Sequence, residues 1–311
     1  MRKDPPAPHR SHARGGSLHG GLTVSREGHV AVLTIDRPEK RNAMTAAMWA
    51  ALPGVLAQLA DDAAVRVLLV TGAGPSFCAG ADIGDLLGGP DPADPMAVVR
   101  RDNLAAQAAL RDFPKPTIAM IRGHCIGGGV EIAACCDLRF TDPTGVFGVT
   151  PAKVGIVYTP SSTKALIDLV GPAMTKYLLF SGELIDAPTA LRTGLVDRLV
   201  PADDLAAEVH RFAGVLAARS SLTQRATKQV VAALAAGGDG EAEVHRFADV
   251  LASRSALTQR ATKEVVAALS AGGDGESTVA GWYRETVAAG ELAEGVAAFT
   301  GRRTPRFPWA D

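Results

Sequence analysis

Two short stretches of the sequence gather the residue types needed to bind and polarise a carbonyl group. The first is TGAGPSFCAGADIGDL (71–86) and the second is RGHCIGGGVEIAACCDLRF (122–140). Each leads from a β-rich segment through small residues into a helical one. Glycines at such a junction admit positive φ and let a ligand approach the backbone closely. A helix start leaves unpaired N–H groups at the positive end of the dipole. Two such starts facing one another would offer two donors to a single negative oxygen. Taken singly, either turn reads as a tight strand–helix connection. Glu131 shifts the balance. It lies in the apolar run GGGVEIAACC, three residues after Gly128 and on the same helical face. A carboxylate there is costly unless paired or functional, and burial raises its pKa in a way that suits proton transfer. A structural ion pair is the alternative.

Strand–helix alternation supplies the elements that would hold these turns. VAVLTID (30–36), VRVLLVT (65–71), TIAMIR (117–122) and DLRFT (137–141) read as strands, with helical stretches at 43–60 and 96–111. The pattern predicts an α/β core with mainly parallel strands. From about residue 160 helix dominates, apart from one short strand signal near 195–200. The GxGxxG and P-loop patterns are absent, so nucleotide chemistry has no support in the sequence.

Composition narrows the function classes. The chain has 311 residues, with 32 Lys and Arg against 33 Asp and Glu; 47% of residues are hydrophobic. This is a globular body with no electrostatic case for a nucleic-acid or membrane partner. No apolar run approaches the roughly 18 residues needed to span a bilayer, and no secretory h-region is visible. Cys78, Cys125, Cys135 and Cys136 lack CxxC spacing. They read as reduced, buried thiols of a cytoplasmic protein. No cluster of metal ligands is visible.

Two segments stand apart. Residues 1–21 combine Pro, Gly, basic residues and three His, and read as a disordered tail. EVHRFAGVLAARSSLTQRATKQVVAALAAGGDGE (208–241) recurs at 243–276 with a 35-residue register and 29 of 34 positions identical. Two copies are too few for a solenoid, so this reads as an in-frame duplication within an ordinary domain. Without the tail and one copy, 255 residues remain, the size of one domain. The expected division is a tail (1–21), a β/α core (22–200) and a helical region carrying the duplication (201–311).

Several segments together resemble the crotonase (enoyl-CoA hydratase/isomerase) superfamily: VAVLTIDRPEKRNAM (30–44), SFCAGADIGDL (76–86), KPTIAMIRGHCIGGGVEIAACCDLRF (115–140), SGELIDAPTALRTGLVDRLV (181–200) and EGVAAFTGRRTPRF (294–307). The resemblance implies a ββα spiral core followed by a C-terminal helical region. It implies an acyl-CoA substrate whose thioester is carried through an enolate. The backbone N–H groups of Ala81 and Gly128 would hold the thioester oxygen, each contributing on the order of 3 kcal/mol to the transition state. Arg37, Lys40, Arg41 and Ala43 would meet the CoA phosphates, with Ala79, Asp82 and Ile83 near the adenine. Gly127, His124 and Pro151 fall beside the acyl group, and Phe299 and Arg303 match positions that close the CoA site. A homotrimer or dimer of trimers is implied, with no cofactor beyond the CoA of the substrate.

One departure bears on the reaction. Typical hydratases use a second glutamate in an FG-x-P-E segment, where this chain reads FGVTPAKVGIVYTP (147–160) with Pro151 at the glutamate's place. Lys153 and Tyr158 are the nearby alternatives. Tyr158 fits a pattern of methylmalonyl-CoA decarboxylase-like members. Three readings follow: a one-glutamate hydratase or isomerase working through Glu131, a decarboxylase using Tyr158, and a catalytically decayed acyl-CoA-binding protein. The first is favoured.

Overall fold

The computed structural model of the chain describes residues 17–18, 20–86 and 94–235, and scattered positions from 237 to 301. Two compact units divide the chain, Met1–Arg225 and Ala226–Asp311. The first holds both sheets described below and the helices that pack on them.

Its larger sheet has seven strands. In chain order these are β1 (Ser17–Leu18), β2 (Leu22–Glu27), β3 (Val30–Ile35), β4 (Val67–Gly72), β5 (Thr117–Ile121), β7 (Leu138–Thr141) and β10 (Arg198–Leu199), and they lie side by side in that same order. β1, β2 and β3 pair antiparallel; from β3 to β10 every pairing is parallel. A smaller sheet joins β6 (His124–Ile126), β8 (Val146–Gly148) and β9 (Ile185–Asp186). The four strands read from sequence fall where expected to within one or two residues. They are legible because a parallel strand covered on both faces is apolar throughout.

Those two faces are visible in β3. Ala31, Leu33 and Ile35 enter the main core, whereas Val30 and Val32 point the other way. The main core is closed by α1 (Ala46–Asp61), α3 (Ala97–Arg111), α4 (Gly128–Cys135) and α6 (Pro160–Ser181). Thr45 caps α1 by accepting the Met48 N–H. α6 is broken at Gly171, whose φ of 73° is non-helical, immediately before Pro172. The opposite face is covered by α8 (Leu205–Ala217), whose Leu205, Val209, Ala213 and Ala217 lie against Val67, Leu69, Ile118 and Phe140. Short helices α2 (Ile83–Leu86), α5 (Pro151–Val154) and α7 (Ala187–Thr193) and the longer α9 (Ser221–Ala235) complete the elements described in full.

The first compact unit runs to Arg225, and within it α8 supplies the apolar cover for one sheet face. The tail was expected to be disordered to residue 21, yet Ser17 and Leu18 pair with Thr23 and Leu22. Backbone pairing across the Gly20–Gly21 turn makes that strand. Residues 1–16 and most of the second repeat copy lie outside the described residues.

Candidate active site

The two glycine-bearing turns meet. Cys78, within the first, forms a parallel bridge with Cys125 in β6. The Cys78 N–H donates to the His124 carbonyl at 2.9 Å, and the Ile126 N–H donates to the Cys78 carbonyl at 2.9 Å. This ladder sets residues 79–82 beside the start of α4. Gly80 adopts φ +105°, and a Cβ there would stand 3.1 Å from the Ile126 carbonyl oxygen and 3.5 Å from the Gly128 nitrogen. A Cβ on Gly128 would stand 3.0 Å from the Trp49 ring and 3.4 Å from the Ala81 nitrogen. The nitrogens of Ala81 and Gly128 therefore border one small space. Among the described residues neither N–H is used by the chain's own hydrogen bonds.

Glu131 stands one turn along α4, its N–H donating to the Gly127 carbonyl at 3.1 Å. Its side chain is partly buried, and desolvation raises its pKa above the ordinary carboxylate value. Hydrogen bonds from Asn103, Ser162 and Tyr158 oppose that shift. Asn103 Nδ2 donates to Glu131 Oε2 at 2.9 Å. Tyr158 precedes α6, and its hydroxyl donates to the Gly127 carbonyl at 3.2 Å. Burial and the neighbouring Glu131 push the Tyr158 phenol well above its usual pKa, so it is a neutral donor. Pro151 is buried at the first position of α5, where its missing N–H costs nothing. Lys153 of the same helix is exposed.

The proposed CoA-binding segments are laced together. Ala79 N–H donates to the Arg41 carbonyl, Met44 N–H to the Gly80 carbonyl and Asp82 N–H to the Met44 carbonyl, at 2.8–2.9 Å. Arg37 is held internally, its guanidinium 2.9 Å from Asp82 and donating to the Ala43 carbonyl. That pairing keeps the Asp82 carboxyl below its usual pKa. Lys40 and Arg41 are exposed, and Ile83 is 77% exposed. His124 contributes its carbonyl to the ladder while its ring Nδ1 sits 3.3 Å from Ser76 Oγ. Phe299 falls within the helix Glu291–Thr300, and its side chain lies outside the described residues, as does Arg303.

A family model described as enoyl-CoA hydratase/isomerase matches residues 25–264. The chain belongs to the enoyl-CoA hydratase/isomerase family. It is 36% identical over 210 residues to an (E)-benzylidenesuccinyl-CoA hydratase of Thauera aromatica, covering 67% of this chain and 80% of that protein. It is 34% identical over 222 residues to a crotonyl-CoA hydratase of Syntrophomonas wolfei, covering 67% and 79%. Among solved structures, an enoyl-CoA hydratase/isomerase family protein of Hyphomonas neptunium superposes with a TM-score of 0.69 at 30% identity, covering 93% of this chain and 98% of that one. Pseudomonas aeruginosa DspI gives 0.70 at 29%, covering 96% and 100%. The crotonase fold expected from the motifs is thus the fold of this enoyl-CoA hydratase/isomerase family member.

Four polar residues of the site escaped sequence reading. Asn42 is fully buried and ties the 37–43 loop to the first turn, accepting from Arg37 N–H and donating to the Ala73 and Ser76 carbonyls. Asn103 and Gln107 of α3 and Ser162 of α6 surround Glu131. The available signal was two amides four residues apart beside the apolar positions Val99, Ala106 and Leu110. Among the described residues no group of side chains is suited to hold a metal. No helix among them is long and apolar enough to cross a membrane. All four cysteines are buried and free, and burial pushes the Cys78 thiol up to about 12.

Proposed function

We propose that this acyl-CoA enzyme hydrates or isomerises 2-enoyl-CoA thioesters with Glu131 as its single proton carrier. The observation that carries the reading is a desolvated carboxyl one turn from two unused N–H groups. The thioester oxygen accepts from Ala81 and Gly128 N–H, which stabilise charge as it develops there. Water attacks C3 and gives a proton to the Glu131 carboxylate; the same carboxyl then delivers a proton to C2, so one water is added in total. Isomerisation uses the same group to move a proton between C2 and C4. A raised pKa favours both halves, because the carboxyl must take a proton and release it again. Tyr158 orients the Gly127 carbonyl and the carboxyl beside it.

Decarboxylation is the weaker reading on electrostatic grounds. A malonyl-type substrate would bring its own carboxylate beside the partly buried Glu131, and like charges there oppose binding. Lys40 and Arg41 are placed for CoA phosphates, with Ile83 offering an apolar surface to the base. Tyr177, Phe180, Leu184 and Leu191 of α6, α7 and the loop between them are exposed, and this apolar face suits a homotrimer or dimer of trimers. Four buried thiols suit the cytoplasm. The test is a panel of CoA thioesters. Crotonyl-CoA should lose its enoyl absorbance with this protein. CO₂ release from a malonyl-type ester without that loss would favour the decarboxylase, and the absence of hydration, of 3-enoyl to 2-enoyl isomerisation and of CO₂ release would leave a binding protein.

A further inference from the structure

Glu131 is the end of a chain of hydrogen bonds drawn from three helices. Ser162 Oγ of α6 donates to Gln107 Oε1 at 3.1 Å, Gln107 Nε2 donates to Asn103 Oδ1 at 2.6 Å, and Asn103 Nδ2 donates to Glu131 Oε2 at 2.9 Å. Every donor in the chain faces towards the carboxyl. Gln107 and Ser162 are each 2% exposed, so water does not compete for the bond between them. Thr159 Oγ1, 2.8 Å from Ser162 Oγ, anchors the far end at the cap of α6. Asn103 and Gln107 are four residues apart on the face of α3 that packs on α4.

We infer that Asn103 and Gln107 are positioning residues that hold the Glu131 carboxylate in its ionised, oriented form, an electrostatic support supplied by amides where Pro151 leaves no second carboxyl. The inference rests on Glu131 being the proton carrier. Its physical basis is that aligned donors favour the charged form of a carboxyl, and that such chains polarise one another. The titratable groups facing Glu131 are the Tyr158 phenol and the Cys78 and Cys135 thiols, all held neutral by burial. Of the charged groups on the packed helices, Arg100 pairs with Asp94, Arg101 with Asp102 and Lys164 with Asp168, while Arg111, at the end of α3, acts on the Cys135 thiol. Against desolvation the Asn103 amide is the largest of the opposing hydrogen bonds, ahead of the Ser162 and Tyr158 hydroxyls.

The test is a pH-resolved mutant cycle that needs no substrate. Asn103→Leu removes the donor to an ionised carboxylate but little that a protonated one uses. Its loss in thermal midpoint should be larger at pH 8 than at pH 5, and this pH dependence should disappear in a Glu131→Gln background. An equal loss at both pH values, or a pH dependence that persists in the Glu131→Gln background, would overturn the inference. Should Asn103→Leu not fold, the near-isosteric Asn103→Asp decides. The second carboxyl should make its penalty larger at pH 8 and smaller again once Glu131 is replaced, and a penalty indifferent to Glu131 overturns the relay. With crotonyl-CoA, Asn103→Leu should lower kcat/KM by about tenfold or more with KM little changed, the scale of a charge-assisted hydrogen bond. Gln107→Leu should lower it less and add nothing to Asn103→Leu, since the two act in series. Turnover that survives Glu131→Gln would overturn the proton-carrier reading itself; turnover lost in that variant with pH-independent Asn103 penalties would overturn the relay alone.

Discussion

Glu131 and Gly128 are separated by one helical turn, and their chemistry depends on that spacing. Gly128 cannot carry a side chain cheaply, because a methyl there would press on Trp49 at 3.0 Å and on the Ala81 nitrogen at 3.4 Å. Gly128→Ala should reduce kcat/KM by roughly 10²-fold or more, the scale of losing one oxyanion donor. Circular dichroism should show the fold retained, and a fully active variant would remove Gly128 from the site. Glu131 also leaves a mark on stability. Its folded-state pKa is raised, so the native chain holds its proton at pH values where the unfolded chain has lost it. The contribution of Glu131 to stability is therefore fully present below the ordinary glutamate value of about 4.3 and is lost as pH rises through the raised one. Glu131→Gln, which keeps an acceptor for Asn103, should melt higher than the parent at pH 8. The gap should close as pH falls below about 4, and thermal melts across this range check the sign.

At the scale of elements, α8, which runs into the first repeat copy from Glu208 onward, covers one face of the larger sheet. Leu205 is fully buried against the sheet face that Val67, Leu69 and Phe140 present. Leu205→Ala should cost about 2–5 kcal/mol by the cavity it leaves, while crotonyl-CoA turnover at about 25 °C stays near that of the parent. Denaturant titration measures the first and the enoyl absorbance the second. α8 sets Val209, Phe212 and Leu216 against the sheet, and such helical periodicity is legible in any amphipathic helix. The long strands were legible for a different reason: covered on both faces, they are apolar throughout. The three-residue strands β6 and β8 were not, since so short a segment carries no period, although β6 is what joins the two turns. Asn103 and Gln107 were missed because polar residues on a helix ordinarily mark its solvated face. Only packing against α4 and α6 reveals that they turn inward. Asn42 was missed because a lone asparagine in a loop looks like turn chemistry.

At the scale of the molecule, Ala81, Gly128, Glu131 and the described residues around them lie within Met1–Arg225, ahead of the second repeat copy. Deleting residues 243–277 restores a single copy in register. The shortened chain should fold with a thermal midpoint within a few degrees of the parent and the same oligomeric state by light scattering. Loss of folding would show that the duplication is part of the structure. On the proposed mechanism, two backbone donors and one carboxyl, brought together by a strand ladder, suffice for enoyl-CoA chemistry without a second glutamate. Crotonyl-CoA turnover by the parent and by Glu131→Gln, measured beside the affinity of each for the thioester, tests it most directly. The account predicts a fall in kcat of about 10²–10⁴-fold with affinity nearly unchanged, the range for losing a general acid–base group. Equal turnover by the two proteins would contradict it.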